Sequence, residues 1–328
     1  MFSHALWCAF VVRLIVFALF IFLVPDLVFS QTNVRASSEL LGANAPFNFP
    51  ERLVVGPKGD VYLLDTNLSS LFVVNAQTGK LNRICGPEKL SSPSDLAVDR
   101  QGNVWVLSAL TSKIYKLTQH CDVQAEIYSR QIPLRIATNS AGEVIVLSGA
   151  GSNLFERFAA DGKFLGGFGQ RIDYKDETTN RELSDGLIVP DRAGGFFFSF
   201  NYPPLIRHYG RHGKLIAEFK PESDVAIGPP NVSVRKQGNS MVVRSIYQIL
   251  VLDMALDSQG RLLVLLSGQN KTPALTQGTR KLVVLTGNGR VLKKVELDHN
   301  FHRLATSNRH LFLLRNRKPL RLDTYAML

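Results

Sequence analysis

The chain has 328 residues, 45% of them apolar, and a formal net charge of +11. It is long enough to bury a large core, and one closed all-β domain of this size is ordinary, so the length does not require two domains. The basic excess favours anionic surfaces such as lipid headgroups, acidic glycans or wall polymers. Nucleic acid is set aside, because no zinc-finger, Gly-rich RNA-binding or aromatic stacking motif is present.

The N-terminus reads as an export segment. Arg13 precedes an apolar run of eleven residues, Leu14 to Val24, followed by Pro25, Asp26 and the small-residue exit Val28-Phe29-Ser30. The run is shorter than the roughly 20 apolar residues a bilayer span needs, so residues 1–30 are expected to be a cleaved signal peptide. Counting from Leu6 across Arg13 lengthens the run, which leaves an uncleaved N-terminal membrane anchor as the alternative. Residues 31–328 then form one domain, expected to be monomeric and periplasmic or extracellular. Removing Arg13 and Asp26 together leaves the charge at +11.

From residue 53 onward one pattern recurs six times: a short apolar strand, a polar turn often carrying Gly, and a longer apolar strand. The copies start at Leu53, Leu96, Ile136, Leu187, Met254 and Leu304, at separations of 43, 40, 51, 67 and 50 residues. Thr78-Gly79, Asp161-Gly162 and His212-Gly213 each fall 26 residues after their copy begins, and Asn288-Gly289 does the same job in the fifth copy. Such dipeptides make tight turns because Gly accepts positive φ at no steric cost. Each copy therefore holds two hairpins, and four strands, A to D, are the unit of a propeller blade. The expectation is an all-β six-bladed propeller, with seven blades as the alternative if the 67-residue interval hides a degenerate copy. The sixth copy ends after its third strand, at Pro319 to Met327, so a strand from Val34 to Leu41 is expected to complete it and remove the open sheet edges. Cys85 and Cys121 fall on opposite faces in this register and are expected to be free thiols.

The run Phe155 to Gly169 resembles the outer half of an NHL repeat, and Val98 to Trp105 resembles its inner half. The resemblance covers essentially all of 31–328 and implies architecture more than function. The Asp that the family carries after the second strand is present at Asp65, whereas Ser108, Ser148 and Leu266 replace it.

In a four-stranded meander the D-to-A and B-to-C connections emerge on one face. The three long additions, Arg171 to Ser184, Lys220 to Leu250 and Gly268 to Arg280, all fall there, on neighbouring blades four and five. Long loops in a compact domain tend to be functional. Val232 to Val234 and Met241 to Val243, inside the second addition, are expected to pair as an extra hairpin.

The residues just before each A strand surround the channel mouth on that face. The position immediately before reads Arg52, Asp95, Arg135, Gly186, Asp253 and Arg303, and the position before that includes Glu51, Asp185 and His302. Three arginines in a ring suit bidentate contacts to a carboxylate or phosphate; equally, each Asp can pair with a neighbouring Arg and leave no charge alone.

Six-bladed propellers of the gluconolactonase kind are similar in sequence and imply one metal at this mouth, held by Glu, Asn, Asn and Asp, an oxygen set suited to calcium. Glu51 matches the Glu, and Asp185-Gly186-Leu187 resembles the Asn-Gly-Leu segment. Ser94 and Leu252 stand where two further ligands belong, unless Asp95 and Asp253 substitute after a one-residue shift. The zinc site of the peptidylglycine lyase branch needs several His, and only His302 lies at the mouth. His208 and His212 flank a surface turn, and His310 starts a B strand. No Ser nucleophile elbow, phosphate loop or catalytic carboxylate pair appears. The sequons at Asn67, Asn231 and Asn270 are taken as chance. The favoured reading is an exported, non-catalytic binding module with no cofactor, recognising a protein or an anionic glycan on the loop-bearing face. The alternative is a lactonase-like or esterase-like hydrolase using one divalent cation, with Glu51 and Asp185 as its metal ligands.

Overall fold

The computed structural model describes residues 32–34, 36, 38–41, 46–108, 110–174, 176–237, 240–267, 278–315 and 320–328. Residues 1–30, expected from the sequence to be an export segment, and residues 268–277 of the third loop addition lie outside the described residues. Among those described, no helix is long and apolar enough to cross a membrane.

The unit Gln31–Leu328 is a six-bladed β-propeller. Two short strands come first, β1 (Thr32–Val34) and β2 (Ser38–Leu41). Blade 1 follows as β3 (Pro50–Val55), β4 (Val61–Asp65), β5 (Ser70–Val74) and β6 (Leu81–Cys85), and blade 2 as β7 (Pro93–Val98), β8 (Val104–Ser108), β9 (Lys113–Leu117) and β10 (Val123–Tyr128). Blade 3 is β11 (Pro133–Thr138), β12 (Val144–Ser148), β13 (Asn153–Phe158) and β14 (Phe164–Gln170). A short helix, α1 (Glu177–Leu183), leads into blade 4: β15 (Gly186–Pro190), β16 (Phe196–Phe200), β17 (Ile206–Tyr209) and β18 (Leu215–Phe219). The hairpin β19 (Asn231–Gln237) and β20 (Ser240–Ile246) precedes blade 5, which comprises β21 (Val251–Leu256), β22 (Leu262–Leu266), β23 (Thr279–Leu285) and β24 (Val291–Phe301). Blade 6 is β25 (Arg303–Thr306), β26 (His310–Leu314), β27 (Leu322–Ala326) and the N-terminal β2.

The B strands explain why these sequences stack. In β4, β8, β12, β16 and β22 every residue is buried, because each blade is pressed between two neighbours and an inner strand has no solvent side. A short continuous apolar run bounded by turns is the pattern such a strand needs. The outer β6, β10 and β18 face solvent for much of their length. The A-to-B turns of blades 2, 3 and 5 share one construction: in blade 2 the Asp99 carboxylate accepts from the N–H groups of Gln101 and Asn103 at 3.0 and 2.9 Å, and Gly102 supplies the positive φ of 83° that closes the hairpin.

The closing strand forms as the sequence implies. β2 pairs antiparallel with β27, Ser38 opposite Thr324, and Arg321 holds Glu39 at 2.6 Å. A second element is added just before it: β1 runs parallel to β24, with Asn33 opposite Glu296, as a fifth strand on blade 5. The N-terminal segment therefore clasps two adjacent blades. The long interval before Met254 holds no seventh blade; it holds the hairpin β19–β20, with Val234 opposite Val243.

One expectation is overturned. Cys85 and Cys121 are disulfide-bonded, with Cα atoms 5.5 Å apart, and both are buried in one cluster with Leu90, Leu96 and Leu117. Assigning them to opposite faces treats the blade as flat. Successive strands rotate by about 20–25°, so across four strands the end of β6 swings sideways toward blade 2, where the turn between β9 and β10 meets it.

Candidate functional site: the charged mouth and the loops above blade 4

The mouth is built from the residues that begin the A strands, and they hold one another in pairs between neighbouring blades. Arg52 of blade 1 lies 2.5 Å from Asp95 of blade 2, an ion pair with the Asp95 side chain wholly buried. The second Asp95 oxygen accepts the Ile136 N–H of blade 3 at 2.8 Å. Arg135 grips Asp185, at the start of blade 4, through Nε and Nη2 at 3.0 and 2.8 Å. Asp253 of blade 5 accepts the N–H of Leu304 in blade 6 at 2.8 Å and that of Met254 at 3.0 Å. Arg303 donates to the carbonyls of Glu51, Leu252 and His302.

Electrostatics follow from this packing. The Asp185 carboxylate raises the pKa of Arg135 above the ordinary guanidinium value. Burial pulls Arg303 down against the attraction of Asp253, and burial raises Asp253 despite Arg303 and Arg52 beside it. His302 is 4% exposed, its Nδ1 has no hydrogen-bond partner among the described residues, and burial pushes its pKa down to about 3. It is a neutral buried ring rather than a group presented at the opening. Gly186 interrupts the charged ring because a Cβ there would come within 2.1 Å of the Ser199 carbonyl oxygen.

A divalent cation at this mouth needs free oxygens on the matching residues. Both Asp185 oxygens face Arg135, and one also accepts the Gly186 N–H at 2.7 Å. The Ser94 hydroxyl donates to the Leu107 carbonyl at 3.3 Å, and Leu252 is a buried core residue. The substitutes Asp95 and Asp253 accept from Ile136, Met254 and Leu304 N–H groups. Glu51 lies within electrostatic reach of Arg135 and Arg303. This donor set does not fit a hard cation as it stands.

Beside the mouth the two described loop additions meet over blade 4. Helix α1 starts on Asp176, whose side chain accepts the Thr179 N–H at 2.8 Å, a standard N-terminal cap. Arg171 anchors the loop to the carbonyls of Ser148 and Ala150 and to the Ser184 hydroxyl. Glu182 then accepts the Ser245 hydroxyl at 2.8 Å, joining α1 to the β19–β20 hairpin. Three tyrosines that the sequence reasoning passed over gather here: Tyr174 and Tyr202 have ring centroids 6.5 Å apart, and Tyr202 and Tyr247 6.3 Å apart. Burial raises the pKa of Tyr174 and of Tyr247 to about 12. Each comes from a different loop, so no local motif announces the group.

One face of the hairpin looks away from α1. Ser245 turns toward α1, so the alternate residues, Arg235 and Asn231 on one strand and Val242, Arg244 and Ile246 on the other, point away. Val242 is 42% and Ile246 52% exposed, and β19–β20 bonds to no third strand among the described residues.

No family model matches the chain, and no curated protein matches it. Solved structures share its fold. Regucalcin from Agrobacterium tumefaciens, a calcium-binding protein, is 11% identical, with 91% of this chain and 98% of that chain covered at a TM-score of 0.56. A catalytically inactive virginiamycin B lyase from Staphylococcus aureus, with quinupristin, is 16% identical over 89% of this chain and 99% of that chain, at a TM-score of 0.55. A putative gluconolactonase is 12% identical over 88% and 91%, at 0.52. At these identities the likeness is one of fold.

Proposed function

We propose that this chain is an exported binding propeller of the NHL-repeat type, directed by residues 1–30 to the periplasm or the cell exterior, that takes a partner on its loop-bearing face without catalysing a reaction or needing a metal. The observation that carries the reading is the outward face of the β19–β20 hairpin, where Val242 and Ile246 lie exposed beside Arg235 and Arg244. Exposed apolar side chains interleaved with arginine are the composition of a protein interface. A protein is therefore the favoured partner, and an anionic glycan is the other class that the two arginines suit. The mouth supports the same reading, since Arg52 pairs with Asp95, Arg135 with Asp185, and Asp253 accepts backbone N–H groups.

The competing reading is a calcium-dependent lactonase or esterase centred on Glu51 and Asp185. It draws on the likeness of fold to gluconolactonase and regucalcin, and against it stands the bidentate hold of Arg135 on Asp185.

The test replaces residues 231–246 by a short Gly-Ser linker and compares the variant with the parent 31–328 protein in crosslinking to the envelope fraction of its host. The variant is expected to keep its melting temperature and lose the crosslinked species. Retention of every crosslink would move the interface elsewhere. In parallel, a rise of several degrees in melting temperature with calcium after exhaustive chelation, abolished by Glu51→Ala and Asp185→Ala, would replace the binding reading with the hydrolase, because a ligand of the native state stabilises it by mass action.

A further inference from the structure

The central channel is not symmetrical. On the loop-bearing side it ends at Arg52 and Asp253; toward the opposite face it continues as a cavity of about 330 Å³ walled by the A strands, and reaches the A-to-B turns at Arg100, Ser140 and Arg192. There it joins a bowl of about 630 Å³ whose lining includes Lys58, Arg100, Arg192 and Arg309. The only carboxylate in that lining is Asp99, 4% exposed and bonded to the Trp105 indole N–H at 3.2 Å.

The acids of these turns form no ion pair with those cations among the described residues, because turn geometry directs their oxygens to other partners. Asp99 accepts two backbone N–H groups and the Asn103 side chain. Asp191 accepts the Gly195 N–H at 2.7 Å and lies 2.8 Å from His208. Asp257 takes the N–H groups of Gln259 and Arg261, and the Arg261 guanidinium at 2.6 Å. Asp60 and Glu143 accept from Asn75 and Asn139 at 3.1 and 2.8 Å. The next residue of the turn is free to point into the opening, and in blades 2 and 4 it is Arg100 and Arg192, both exposed. Arg192 reaches past blade 5 to the Asn308 amide oxygen of blade 6, 3.3 Å away. Its guanidinium therefore lies across the opening, on a neutral partner.

We propose that this turn-side mouth binds a phosphate-bearing anion, with Arg100 and Arg192 as the principal donors and Lys58 and Arg309 at the rim. Guanidinium forks match tetrahedral oxyanions bidentately, and several cations around one bowl favour more than one negative charge. The same chemistry is offered by a small soluble oligophosphate and by a phospholipid headgroup. The site lies on the face opposite the loops and does not depend on the reading above.

The test is calorimetric titration of the 31–328 protein with sodium tripolyphosphate at low salt. We expect saturable one-to-one binding that falls by about tenfold to a hundredfold in Arg100→Gln/Arg192→Gln, as the loss of charge-assisted hydrogen bonds requires. The charge-matched control Lys163→Gln/Arg290→Gln, on exposed outer turns of blades 3 and 5 that do not line the bowl, should bind like the parent. Sedimentation with phosphatidylcholine vesicles doped with phosphatidylglycerol separates the sources. Vesicle binding that tripolyphosphate displaces and the arginine variant loses assigns a headgroup, whereas tripolyphosphate binding without vesicle binding assigns a soluble phosphate. The proposal is overturned if neither probe binds, or if the control variant weakens binding as much as the arginine variant does.

Discussion

Reduction of the Cys85–Cys121 bond tests the packing of blades 1 and 2 directly. The two cysteines are 36 residues apart in sequence, and freeing a loop of that length restores chain entropy to the unfolded state worth about 4 kcal/mol on the loop-closure relation. A domain the size of Gln31–Leu328 carries an unfolding entropy of about 0.6 kcal/mol/K near its midpoint, so a loss of this size lowers the melting temperature by about 6 °C if the ring unfolds as one unit. The assay is a thermal melt of the oxidised protein with and without dithiothreitol, beside the double variant Cys85→Ala/Cys121→Ala. Reductant should bring the parent down toward the variant, and the variant should not respond to reductant. Non-reducing peptide mapping should recover one fragment containing both cysteines. Free thiols throughout, with a melt indifferent to reductant, would refute the contact and with it the sideways swing of β6.

His302 makes stability depend on pH in a defined direction. Burial lowers its pKa from 6.5 to about 3, so between those values the unfolded chain binds a proton that the native one refuses: stability is fully present above pH 6.5 and falls with acidification at about 1.4 kcal/mol per pH unit. Urea titrations at several pH values should show that slope reduced by about one proton in His302→Gln; Asp253, whose pKa is raised by burial, opposes the trend equally in both proteins and cancels. Gly186→Ala drives a Cβ to 2.1 Å from the Ser199 carbonyl oxygen and should cost about 1–3 kcal/mol as overpacking, read as a lower denaturant midpoint; an unchanged midpoint would mean that β15 and β16 pair otherwise. Deleting residues 31–41 removes β1 and β2, baring the edges of β24 and β27. The truncated protein should elute as aggregates from a sizing column, and a monomer with the parent melting temperature would show that the clasp is dispensable.

Features legible in the sequence are those the chain repeats. Six apolar B strands, five of them behind Gly-bearing turns, specify the blades, and a sixth copy lacking its outer strand points to β2, because the open edge of β27 demands cover. The hairpin at 231–246 was legible for a similar reason, two β-branched runs facing each other across a polar turn. Features set by three-dimensional geometry were not. β1 is three residues, Thr32, Asn33 and Val34, too short to show a period, and its partner is 263 positions away in the pair Thr32–Val295. The disulfide depends on cumulative strand twist, which a flat register ignores. At the mouth, position before the A strand identified Arg52, Asp95, Arg135, Asp253 and Arg303, but not which blade supplies each partner. Tyr174, Tyr202 and Tyr247 come together only because two D-to-A loops and a B-to-C connection converge on one corner of blade 4.

The two ends of the channel differ electrostatically because one repeated turn uses its acid differently from the strand that precedes it. Where an A strand begins, Asp and Arg stand at or one residue before the same position on successive blades, and two ion pairs form between neighbours, Arg52–Asp95 and Arg135–Asp185. Where the A strand ends, the turns of blades 2, 4 and 5 place an acid first, and that acid accepts backbone N–H groups of its own turn, as Asp99 and Asp257 illustrate. A basic residue in the following position then has no acid of its own turn to pair with. Lys58, Arg100, Arg192 and Arg309 therefore surround the turn-side bowl, with Asp99 the only carboxylate in its lining. A bowl ringed by four cations attracts an anionic surface before contact, which would bring the turn face to it and leave the hairpin pointing away.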